Sequence, residues 1–158
     1  MVVKVSTRHS GARREARRLR RSLSAMMDRL APGKDLELSV SLVSDEEMTA
    51  LNSEHMGLDE PTDVLSFPLL SRSELEGLGA PGAMTEPIGD IVINLDAAGR
   101  QAGERGMSTR EEVELLATHG LLHLFGYDHT RQADAAEMAR LERSMLGRSI
   151  IGDVTGED

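Results

Sequence analysis

Residues 117–129 read ATHGLLHLFGYDH and hold three of the chain's five histidines, His119, His123 and His129. On a helix, positions four apart share one face, so His119 and His123 can aim their ring nitrogens at one point. A divalent zinc takes imidazole nitrogens at about 2.0–2.1 Å, which this spacing permits. Gly126 follows His123 by three residues. A glycine there can end the helix and turn the chain so that His129 swings back to the same point. Three histidines leave a fourth position open, the pattern of a catalytic rather than a structural zinc. The competing reading is three unrelated polar side chains near a helix end, and the clustering argues against it. One zinc per chain is expected, although imidazoles also suit copper, iron and nickel.

The order H-x3-H-x2-G-x2-H has the ligand spacing of the metzincin proteases. Their general base, the glutamate after the first histidine, is here Gly120. Peptide hydrolysis by that route loses a proton acceptor, and such groups contribute about 10²–10⁴-fold. A bound metal can still lower the pKa of its water to about 7 or polarise a phosphoryl oxygen. RNA also brings its own nucleophile, the 2′-hydroxyl. The two routes give different products, and the sequence does not choose between them.

The elements that must position these groups read as follows. MVVKVST alternates as a short strand, and a helix over about 9–31 follows, with Ala12, Ala16, Leu19, Leu23, Met26, Met27 and Leu30 on one side and arginines on the others. LELSVSLV (36–43) alternates as a strand. Ser44 and Glu47 suggest a capping box opening a helix to about Met56. VLSF is a short strand bracketed by Pro61 and Pro68, and 71–87 reads as a mobile loop. A strand over 88–95 and a short helix over 96–103 precede a second box, Ser108 to Glu111, which opens the long apolar helix 109–125. A last amphipathic helix covers 133–146, and an acidic tail, about 149–158, reads as flexible. Mixed strands and helices without a linker indicate one α+β domain spanning 1–158.

The bulk composition narrows the class. With 158 residues, 39% hydrophobic and 28% charged, the chain can build one real core. It contains no cysteine, which excludes disulfides, thiolate metal sites and a cysteine nucleophile. No apolar run approaches a membrane span or a signal peptide, so a cytoplasmic protein without membrane partners is expected. The net charge of −9 is uneven. Residues 1–34 carry ten Lys/Arg and two acids, whereas the remainder carries eight basic and 25 acidic residues. A polyanion partner for the basic part is one explanation, and a solvated helix face is the other.

HGLLHLFGYDH, with PTDVLSFP at 61–68 and GDIVIN at 89–94, resembles the YbeY family of bacterial metal-dependent endoribonucleases, over roughly residues 35–147. The resemblance implies an α+β domain in which a mixed sheet packs with helices and the metal site ends a central helix. It implies zinc on His119, His123 and His129, and single-strand RNA cleavage in ribosomal RNA processing, including maturation of the 16S rRNA 3′ end, and in ribosome quality control. Ribosome or small-subunit proteins would be partners.

One departure stands out. Many family members carry a Tyr-Arg pair shortly before the Pro-Thr, with the arginine proposed to act in catalysis; the matching positions here are His55 and Met56. Arg131 or His55 are the replacement catalytic candidates. Thr62, Asp63 and Ser66 are polar candidates for the cleft, while Val64, Leu65 and Phe67 are expected to pack inside. Tyr127 could stack on a base, and Asp128 could orient a histidine. Arg14, Arg18 and Arg21 are candidates for RNA contacts. The alternatives are a metallopeptidase, which the missing glutamate disfavours, and a non-catalytic zinc-containing ribosome-assembly factor. The oligomeric state is left open.

Overall fold

A computed structural model describes residues 1–56, 62–78, 84–127 and 132–146. The strands are β1 (Val2–Thr7), β2 (Leu36–Val43), β3 (Val64–Pro68) and β4 (Glu86–Asn94). The helices are α1 (Arg13–Leu30), α2 (Asp45–Met56), α3 (Arg72–Glu76), α4 (Leu95–Arg105), α5 (Thr109–Leu124) and α6 (Gln132–Leu146). A single 3₁₀ turn, Ser10–Ala12, leads into α1.

The alternation in β2 sends Leu36, Leu38, Val40 and Leu42 to one face, and all four are almost completely buried. Full burial of such a side chain is worth about 1.5–3 kcal/mol. The sheet order is β1-β2-β4-β3, with β1, β2 and β4 parallel and β3 antiparallel to β4. The fold is therefore the mixed α+β sheet expected. α1 lays Ala16, Leu19, Leu23, Met26 and Met27 on the core and turns its arginines outward. α5 is buried along most of its length, including Val113, Leu116, Ala117, Leu121 and Leu124. It contacts α1, α4, α6, β3 and β4, which makes it the central helix.

Both sequence-read capping boxes form. Ser44 and Glu47 exchange bonds at the start of α2, as do Ser108 and Glu111 at the start of α5. Two expectations need correction. Within 71–87, read as a loop, Ser71 and Glu74 form a third capping box that starts α3, and β4 begins at Glu86. The Gly-Ser-Pro content masked that signal. The side chains of Val64, Leu65 and Phe67 are only half-buried, because β3 is an edge strand pairing on one side. Val64 leans on the main core, while Leu65 and Phe67 lean on a small cluster of Val43, Met48 and Val92. The tail at 149–158 lies outside the described residues.

Candidate metal centre

His119 and His123 lie on consecutive turns of α5, ring centroids 4.8 Å apart and planes at 77°. Their Nε2 atoms are 3.3 Å apart. Two nitrogens bound tetrahedrally at about 2.0–2.1 Å are separated by about 3.3–3.4 Å, so the pair is spaced as two ligands of one ion. The opposite nitrogen of His119, Nδ1, lies 3.0 Å from Oε1 of Glu142 on α6. The Glu142 side chain is 6% exposed. An ionised carboxylate there accepts the Nδ1 proton, which leaves the Nε2 lone pair of His119 directed at His123. Carboxylate partners of this kind orient metal-ligating imidazoles and raise their basicity. Glu142 was not singled out from the sequence. Its only signal there is a carboxylate on the apolar face of the last helix, one turn from the buried Met138.

Among the described residues no third histidine, aspartate or glutamate completes a metal-binding group. His129, the expected third ligand, lies outside them, as do Asp128, Arg131 and Pro61. His55 belongs to α2, and its side chain is also outside the described set. The described part of the centre, two imidazoles and one orienting carboxylate, fits a borderline metal that prefers nitrogen donors.

The helix end is built to turn. Tyr127 N–H donates to Leu122 O and Gly126 N–H to His123 O, the two bonds of a Schellman motif. Gly126 has φ +91°, in the left-handed region. This is the turn that the sequence assigned to Gly126. The Arg72 guanidinium of α3 sits 4.5 Å from the Tyr127 ring centroid, so one face of the candidate base-stacking ring is already covered by a cation.

Gly120 explains why no glutamate follows the first histidine. A Cβ there would lie 3.0 Å from Ile91 Cγ2 and 3.1 Å from Ser66 Oγ. α5 is packed against β3 and β4 at this point, and Ser66 Oγ–H donates to the Gly120 carbonyl at 3.3 Å. Position 120 therefore faces the sheet and has no room for a long side chain. Ser66, a cleft candidate from the sequence, ties the edge strand to α5.

The other two cleft candidates are likewise held by the scaffold. Asn94 is fully buried at the end of GDIVIN. Its Oδ1 caps α4 by accepting from Asp96 and Ala97 N–H, and its Nδ2 donates to Thr62 O and Asp45 Oδ1. Its own N–H donates to Asp63 O. Asp63 Oδ2 accepts from Gln101 Nε2 at 3.2 Å. One amide thus joins α2, α4, β4 and the entry to β3, and only the fold reveals that role. Arg100 grips Asp45 with two bonds of 2.7 and 3.0 Å. That fork, with the Asn94 bond, pulls the Asp45 carboxyl down to about 2. Glu112, fully buried on α5, has its carboxyl pushed up by burial against the opposing pull of Arg105 at 2.8 Å.

The arginines are surface groups. Arg14, Arg18 and Arg21 are exposed on α1, away from the histidine pair and beside the N-terminal half of α5. Among the described residues no helix is long and apolar enough to cross a membrane.

The family model described as endoribonuclease YbeY matches residues 4–149, which extends the sequence resemblance to β1 and α1. An endoribonuclease YbeY from Anaeromyxobacter sp. (strain Fw109-5) is 44% identical over 145 residues, 92% of this chain and 70% of that protein. The endoribonuclease YbeY of Thermobifida fusca is 43% identical over 139 residues, 87% of each chain. The solution structure of TM1509 from Thermotoga maritima superposes with a TM-score of 0.67 at 25% identity, covering 98% of this chain and 93% of that one.

Proposed function

The chain belongs to the YbeY family of endoribonucleases, and from that premise we propose that it is a zinc-dependent enzyme cleaving single-stranded RNA in the cytoplasm, acting in 16S rRNA 3′-end maturation and ribosome quality control. The observation that carries this reading is the 3.3 Å separation of the His119 and His123 Nε2 atoms, with Glu142 holding the far side of His119. His119, His123 and His129 would hold the zinc. The bound ion supplies Lewis acidity toward a phosphoryl oxygen and lowers the pKa of a water molecule.

The chain's own residues do the rest. Glu142, placed to accept from His119 Nδ1, orients the ring so that Nε2 faces His123. Gly126 and its Schellman turn redirect the chain toward His129. Among the described residues β3 is the last strand in the sheet order, a position beside which an extended strand of substrate would run. Met56 offers no charge where many relatives hold an arginine. His55 and Arg131 are the proposed sources of any replacement.

The peptidase alternative is opposed by packing, because position 120 faces Ile91 and Ser66 and cannot present a base. The test is cleavage of a 3′-extended 16S rRNA fragment by wild type and His123→Ala, with zinc measured in both. Loss of cleavage together with zinc supports the proposal. Undiminished cleavage by His123→Ala would reject it, and chelator-sensitive casein hydrolysis would favour the peptidase.

A further inference from the structure

We propose that the groove between α1 and the N-terminal half of α5 is a second RNA contact surface, which binds the phosphate backbone of the substrate away from the histidine pair. The proposal deepens the endoribonuclease reading and rests on it for the nature of the polyanion.

Arg14, Arg17, Arg18 and Arg21 stand at i, i+3, i+4 and i+7 of α1, hence on one face. Arg110, from the first turn of α5, completes the far wall of a groove of about 840 Å³. The groove also holds Ser22 and two carboxylates, Glu15 and Glu114. Glu114 already accepts from Ser22 Oγ at 2.8 Å. Five arginines against two carboxylates leave three net positive charges.

The structure distinguishes this from a helix whose arginines pair with carboxylates elsewhere in the fold. Among the described residues, none of these five arginines has an ion pair within 4.0 Å or a side-chain hydrogen bond. Other arginines of the chain do pair: Arg100 with Asp45, and Arg105 with Glu112. Like charges at i, i+4 repel, so the row is destabilising unless an external anion joins it. A planar guanidinium matches phosphate oxygens in a two-point fork. The row from Arg14 to Arg21 rises about 10 Å along the helix, enough to meet successive phosphates. The body from residue 35 onward carries 25 acidic residues against eight basic ones, so a nucleic acid is repelled there and drawn to this groove.

The probe is a fluorescein-labelled 16-nucleotide oligouridylate, bound by the full-length, zinc-loaded protein at 50 to 200 mM salt. Each phosphate contact on a single strand contributes a slope of about −0.7 in log K against log salt. Five contacts give roughly a 130-fold loss of affinity over that range, and the two left by Arg14, Arg18 and Arg21→Gln give about 7-fold. The triple variant should show the shallower dependence with its zinc content and melting temperature unchanged. Arg14, Arg18 and Arg21→Lys should restore the steep slope, because a lysine keeps the charge. A wild-type slope in the triple Gln variant overturns the proposal, as would loss of a protein partner without change in RNA binding. If wild type shows the steep slope but cleaves no RNA, the docking surface stands and the endoribonuclease mechanism falls.

Discussion

A Cβ added to Gly126 would lie 2.7 Å from the Cβ of Arg72 and 3.1 Å from its Cγ. The glycine that ends α5 is thus doubly constrained, by its own positive φ and by a helix reaching over it. Left-handed geometry for a non-glycine residue costs about 1–3 kcal/mol at such sites, before the collision is counted. Gly126→Ala should lower the zinc-to-protein ratio while far-ultraviolet circular dichroism remains nearly unchanged, since α5 is anchored by its buried residues. Full zinc occupancy in the variant would show that the turn does not carry the third ligand to the pair.

Glu142→Gln tests the carboxylate behind His119. Mutating such outer partners weakens metal affinity by about 10–100-fold. Competition with a chromogenic chelator should reveal a shift of that size, with His119→Ala shifting further. An unchanged zinc affinity would mean that Glu142 contributes only to packing α6 on α5.

At Gly120 the prediction concerns packing. A methyl group 3.0 Å from Ile91 Cγ2 and 3.1 Å from Ser66 Oγ requires those side chains to give way, and overpacking of a tight core costs about 1–3 kcal/mol. Urea denaturation of Gly120→Ala should show that loss. Gly120→Glu, which restores the metzincin sequence, should destabilise the protein without producing proteolysis of casein.

Asn94→Ala removes an N-cap, worth about 0.5–2 kcal/mol, and also takes the Asn94 side-chain donor from the Thr62 carbonyl and leaves Asp45 to Arg100. The expected loss exceeds that of a cap alone. Hydrogen exchange should accelerate at the start of α4 and at the entry to β3 together. Acceleration at α4 only would separate the cap from the junction.

Acid titration reads the Asp45–Arg100 fork. The Asp45 carboxyl is lowered to about 2 in the fold, from an ordinary value of 3.8. Its contribution is therefore complete above the ordinary carboxylate range and is lost as pH falls through about 2. Between pH 4 and 2, wild type should lose more stability than Asp45→Asn. High salt should narrow the difference, because the pair is partly exposed.

The sequence by itself determined what depends on local spacing. His119 and His123 share a face because four residues make just over one helical turn. Gly126 turns left-handed because its lack of a Cβ permits it, and β2 buries Leu36, Leu38, Val40 and Leu42 because strands alternate. Ser44 and Ser108 were legible as caps for the same reason. The Ser71 cap was equally local, yet it was hidden in a segment whose composition reads as loop. Only the tertiary structure decided the pairings across distance. Glu142 reaches His119 over 23 positions, Ser66 reaches Gly120 over 54, and Asn94 binds Asp45 over 49. Such contacts depend on how helices and strands stack, and that depends on the summed burial of many side chains, which no short motif encodes. The open arginine groove belongs to the same class. The charge of α1 is written in the sequence, but whether its arginines find carboxylates within the fold was decided by where the acidic residues came to rest.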